Sequence, residues 1–77
     1  MTKAEWQERF RSRLASIMND RCLSPYRLAS VSGLSRSRLS DYMNGRVVPS
    51  PYAIVNIAYA LDVSINDLVD FDERIYD

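Results

Sequence analysis

Two arginines stand where a helix built only for stability would carry acids. In Ser35-Arg36-Ser37-Arg38 a serine suited to cap a helix is followed at once by two cations. The positive end of the helix dipole disfavours each of them by about 0.3 kcal/mol or more. An anion docked there reverses the balance, because the guanidinium charge adds to free backbone N–H groups at the helix start. Catalysis finds little support by comparison. The chain has no histidine, which removes His-based general bases, triads and zinc sites. Its single cysteine, Cys22, has no histidine to activate it. There is no nucleophile elbow and no glycine-rich phosphate loop. The chemistry on offer is the binding of an anion. No enzyme, cofactor or metal site is expected.

Charge along the chain agrees. The net charge is zero, but residues 1–46 hold Lys3 and eight arginines against four acids, a balance of +5. Residues 47–77 hold only Arg74 against six acids, a balance of −5. A polyanion responds to the local face rather than to the sum. Chance scatter of solvated charges is the bland alternative, but the division falls where the arginine pair lies.

The stretch that must position that pair runs from Ser24 to Arg46 and reads as two short helices around a tight turn. Ser24 suits an N-cap, and Pro25 suits the first helical position, where its missing N–H costs nothing. Leu28 and Val31 supply an apolar face before Gly33 breaks the run. Ser35 caps the next helix, with Leu39 and Tyr42 inward, and Asn44-Gly45 ends it. Helix, short glycine-containing turn and helix is the layout of a helix-turn-helix.

Further helices flank this unit. Thr2 to Glu5 has capping-box spacing, and Trp6, Phe10, Leu14, Ile17 and Met18 recur at helical steps to about Arg21. Arg9, Arg11 and Arg13 lie mostly off that face and read as its solvated surface, while Trp6 reads as packing. Ser50-Pro51 opens a fourth helix ending near Leu61, and Ser64 a fifth with Ile65, Leu68 and Val69 inward. No strand pattern, linker or repeat appears. At 77 residues, 47% hydrophobic and 26% charged, the chain is one small globular all-α domain over residues 1–77. No apolar run approaches a membrane span, and the N-terminus lacks a signal peptide's apolar core. With one unpaired cysteine, a cytoplasmic location is the expectation.

The segment resembles the helix-turn-helix of the lambda-repressor/Cro family, the XRE-type regulators. Ala29 stands four residues before Gly33, where the family needs a tiny side chain for two helices to cross. Leu28, Leu39 and Tyr42 match its buried positions, and Asn44-Gly45-Arg46 with Pro49 resembles its exit from the recognition helix. Ile54, Ile57-Ala58, Leu61-Asp62-Val63-Ser64 and Leu68 match its fourth and fifth helices, so the likeness covers roughly residues 10 to 70. Two positions depart. The family's usual Gln at the first motif helix is Pro25, which loses a phosphate contact that Tyr26 or Arg27 is left to replace, and a usual apolar position is Ser32.

The resemblance implies a five-helix, lambda-repressor-like domain that binds double-stranded DNA as a repressor-like transcriptional regulator. It implies a bacterial, phage or mobile-element origin. By position, Arg36, Ser37, Arg38 and Asp41 would contact bases. Arg36 suits a bidentate bond to guanine, and Asp41, three residues beyond Arg38, suits an intrahelical pair with it. Arg27, Ser35, Ser40, Asn44 and Arg46 would contact phosphates. Val47-Val48-Pro49 is apolar where relatives often carry a basic residue, so it reads as core cover or interface. A homodimer on a palindromic operator is the expected assembly. Val55, Tyr59, Phe71, Ile75 and Tyr76 exceed what one small core needs and mark its interface. The rival reading is a protein-interaction module on the same fold, antitoxin-like or an adaptor, whose acidic C-terminal half, residues 50–77, binds a protein partner.

Overall fold

Each helix opens on a hydroxyl residue, and in four of the five that hydroxyl closes the first turn. The computed structural model describes residues 2–69, and within them the chain forms α1 (Lys3–Asp20), α2 (Pro25–Ser32), α3 (Arg36–Met43), α4 (Pro51–Leu61) and α5 (Ile65–Leu68). Thr2 accepts from the Glu5 N–H at 3.1 Å, Ser24 from Arg27 at 3.2 Å, Ser35 from Arg38 at 3.1 Å and Ser50 from Ala53 at 3.1 Å. At α5 the bond runs the other way, the Ser64 N–H donating to the Asp67 carboxylate at 3.1 Å. Caps of this kind contribute about 1 kcal/mol apiece. For helices of eight residues or fewer that decides where the helix begins.

Four of the five helix C-termini use left-handed residues. After α3, Gly45 (φ 73°) turns the chain so that its N–H bonds the Tyr42 carbonyl at 3.3 Å and the Arg46 N–H bonds that of Asp41 at 2.9 Å. This paired closure is a Schellman motif. The same motif ends α1 at Cys22 (φ 52°) and α4 at Asp62 (φ 56°), where a side chain occupies a conformation that favours glycine. Gly33 (φ 76°) closes α2 with one bond from its N–H to the Ala29 carbonyl.

The core is drawn from every helix. Phe10, Leu14 and Met18 point in from α1, Leu28 and Ala29 from α2, and Leu39 and Tyr42 from α3. Ala53, Ile57, Ala58 and Leu61 line α4, and Leu68 with Val69 closes the far end. Trp6 stacks on Phe10 with ring centroids 5.5 Å apart and planes 5° from parallel, extending the core as a half-buried lid. Helix α2 packs on α3 and α4, α4 on α5, and α5 on α1. No described helix is long and apolar enough to cross a membrane.

Three expectations about this core change. The sequence pattern puts Val31 with Leu28 on an apolar face, yet Val31 is exposed, and Ser32 is buried instead. The inward face of α2 is centred on Leu28, Ala29 and Ser32, the side packed on α3 and α4. The Ser32 hydroxyl satisfies itself locally, donating to the Ala29 carbonyl and accepting from the Leu34 N–H, both at 3.4 Å. Ile65 is also exposed, because the single turn of α5 directs only Leu68 and the following Val69 inward. Arg11 and Arg13 are half-buried rather than solvated, and Arg13 Nη1 reaches the Asn66 carbonyl of α5 at 3.5 Å. Phe71, Ile75, Tyr76 and the acids beyond Asp67 lie outside the described residues.

The buried crossing at Ala29 leaves no room for growth. Ala29→Leu is expected to lower stability by about 1–3 kcal/mol through overpacking. Val31→Ala, on the exposed side of the same helix, should change it by less than about 0.5 kcal/mol. Urea melts of the two variants check the assignment of the inner face.

Candidate nucleic-acid interface

Helix α3 buries one side and leaves the other wholly polar. With Leu39 and Tyr42 inward, 3.6 residues per turn place Ser37, Ser40, Asp41 and Asn44 along the middle of the outer face. Arg36 and Arg38 flank it on either side of the helix start. All except the half-buried Asp41 are exposed. The Asn44 amide donates to the Ser40 hydroxyl at 3.1 Å, tying two polar side chains one turn apart.

A groove runs between this face and the beginning of α2. Arg36, Ser37, Ser40, Met43 and Asn44 form one wall, and Pro25 with Tyr26 the other. Thus the structure gathers Arg36, Ser37, Ser40 and Asn44 around one concavity. It leaves Arg38, Asp41, Arg46 and Arg27 outside it. The Ser35 hydroxyl is occupied by the Arg38 N–H as a cap. Tyr26, 63% exposed, lies against Arg36, with Cζ 4.7 Å from the ring centroid.

The expected Arg38–Asp41 pair gives way to another. Asp41 Oδ1 meets Arg46 Nη1 at 3.4 Å, an exposed ion pair worth about 0–1 kcal/mol. The cause is the turn at Gly45, which brings the backbone of residue 46 back over residue 41. Arg36 and Arg38 have no carboxylate partner among the described residues, so no acid offsets the two cations at the helix start.

Helix α1 holds the exit of α3 from behind. The Gln7 side-chain amide donates to the Gly45 carbonyl at 3.3 Å, across 38 residues of chain. The Arg11 guanidinium packs against Gly45 so closely that a Cβ built there would collide with it. Neither residue was singled out from the sequence as touching the motif. Their positions beside the apolar stripe of α1 carried no signal of this contact. Val47 and Val48 are exposed in the following loop, and Pro49 points inward.

A family model described as a helix-turn-helix domain matches residues 9–71. Among solved structures, the restriction-modification controller protein C.AhdI from Aeromonas hydrophila is 33% identical. The match covers 78% of this chain and 91% of that one, with a TM-score of 0.74. The chain belongs to the XRE-like helix-turn-helix family. As a member of that family it is a DNA-binding transcription regulator. Its α2 and α3 lie within the matched region and form its helix-turn-helix. No match was found among curated protein sequences.

Gly45 holds a left-handed backbone that strains any other residue, whereas the Arg11 guanidinium beside it is the mobile end of a long side chain. Gly45→Ala is expected to destabilise the domain by at least about 1 kcal/mol. Gln7→Ala, which removes one hydrogen bond to the same residue, should cost about 0.5–1.5 kcal/mol. Thermal unfolding of the two variants tests whether α1 secures the end of α3.

Proposed function

We propose that this protein is a sequence-specific, repressor-like regulator that places α3 in the major groove of its operator. The observation that carries the reading is the start of that helix. Arg36 and Arg38 sit there against the dipole, without acidic partners among the described residues, beside an outer face of Ser37, Ser40, Asp41 and Asn44. In helix-turn-helix proteins the first residues of the second helix contact base edges. Arg36, Ser37, Arg38 and Asp41 are accordingly the base-contacting set, and Arg27, Ser35, Ser40, Asn44 and Arg46 the phosphate-contacting set. Phosphate contacts supply most of the affinity and its salt dependence, and base contacts the selectivity. The protein acts by binding in the cytoplasm, with no catalytic step. The likeness to a restriction-modification controller protein supports a regulatory role of this kind.

A homodimer on a palindromic site completes the proposal. Tyr52, Val55 and Tyr59 are 73%, 50% and 86% exposed on α4, at spacings that align them along one side. Aromatic and branched side chains in such a row fit an interface better than a solvated helix. The remaining residues assigned to that interface lie beyond those described. Tyr59→Glu is expected to convert a dimer to a monomer of 8.9 kDa in sedimentation velocity, and to weaken operator binding through loss of the second half-site.

Fluorescence anisotropy with random-sequence duplexes at several salt concentrations tests the DNA reading. Binding should fall steeply as salt rises, and Arg36→Glu with Arg38→Glu should abolish it while the circular dichroism of the domain is retained. Absence of binding by the wild-type protein at low salt would overturn the proposal in favour of a protein-interaction module acting through the acidic half.

A further inference from the structure

We propose that Tyr26 is a positioning residue for Arg36, holding its guanidinium in place for the base it reads. This rests on the reading of Arg36 as a base contact. The ring of Tyr26 projects from the first turn of α2 into the groove that Arg36 lines from α3. The guanidinium carbon lies 4.7 Å from the ring centroid, within the range of a cation–π contact. Tyr26 is largely exposed and absent from the core, so core packing does not account for its place.

The form of the contact matters more than its strength. A carboxylate partner would engage the N–H donors of Arg36, as Asp41 engages Arg46. A ring over which a guanidinium stacks takes up none of its in-plane donors. Those donors are the ones that pair with the O6 and N7 of guanine. A rotamer-rich side chain held beforehand loses less freedom on binding, and the gain falls on the base pair it reads. Pro25 strengthens the case, since it offers neither a polar side chain nor an N–H at the position before Tyr26.

The experiment uses an operator selected by the wild-type protein from random duplexes, together with single-base variants of it. Tyr26→Leu should reduce discrimination at the base pair read by Arg36 about two- to fivefold. The dependence on salt should stay as in wild type, because no charge is lost. Tyr26→Phe, which keeps the ring, should restore the discrimination. In an Arg36→Ala background Tyr26→Leu should have no further effect. Discrimination unchanged in Tyr26→Leu, or additive with Arg36→Ala, would overturn the proposal while leaving Arg36 as a base contact. Equal losses in Tyr26→Phe and Tyr26→Leu would overturn it by assigning the effect to the hydroxyl. If Arg36→Ala alone leaves discrimination intact on a bound operator, the base-contact reading fails and this one with it.

Discussion

A helix of eight residues does not persist alone in water, where even favourable sequences need about 12–15. The motif nevertheless depends on two such helices keeping one mutual orientation. Propensity cannot supply that, so the orientation is set from outside the helices. Serine hydroxyls fix where α2 and α3 begin, and Gly33 and Gly45 fix where they end. Leu28, Ala29 and Leu39 bury the seam between them. Longer α1 reaches the exit of α3 through Gln7 and Arg11, so α3 is held at its far end while its charged start stays open.

That division explains the electrostatics. Among the described residues, Asp67 at the start of α5 accepts from a backbone donor and Asp41 from Arg46. The first turns of α2 and α3 hold none. Each of these turns therefore keeps a positive end beside arginine, and the two turns border the same groove. The protein accepts a modest loss of intrinsic helix stability there. What it retains is a surface with unspent attraction for phosphate and base acceptors.

Much of this was legible in the chain. A serine or threonine before an apolar-periodic segment announced every helix, and proline after two of the serines sharpened the boundary. Glycine marked the C-terminal end of each motif helix. The misread positions share a cause. Spacing rules apply within a regular helix, so three residues between Arg38 and Asp41 suggested a pair. The turn at Gly45 instead delivered Arg46 from beyond the helix. Val31 and Ser32 were exchanged because a helical period leaves the centre of a narrow face uncertain by one position, and here packing against α3 and α4 chose the serine. The Gln7 and Arg11 contacts with Gly45 depend on tertiary approach, which no local pattern encodes.

The ion pair between Asp41 and Arg46 has a consequence for how wrong sites are refused. A carboxylate in the middle of the outer face of α3 approaches DNA with the same sign as the duplex itself. On the binding geometry proposed above, a sequence that offers an amino group such as that of cytosine relieves the repulsion. A sequence that does not leaves Asp41 desolvated with only a weak, exposed arginine to offset it. Arg46, meanwhile, must leave that carboxylate before it can serve a phosphate. On that geometry the pair would lower residence on the abundant non-cognate DNA, and part of the selectivity would come from penalty rather than from attraction.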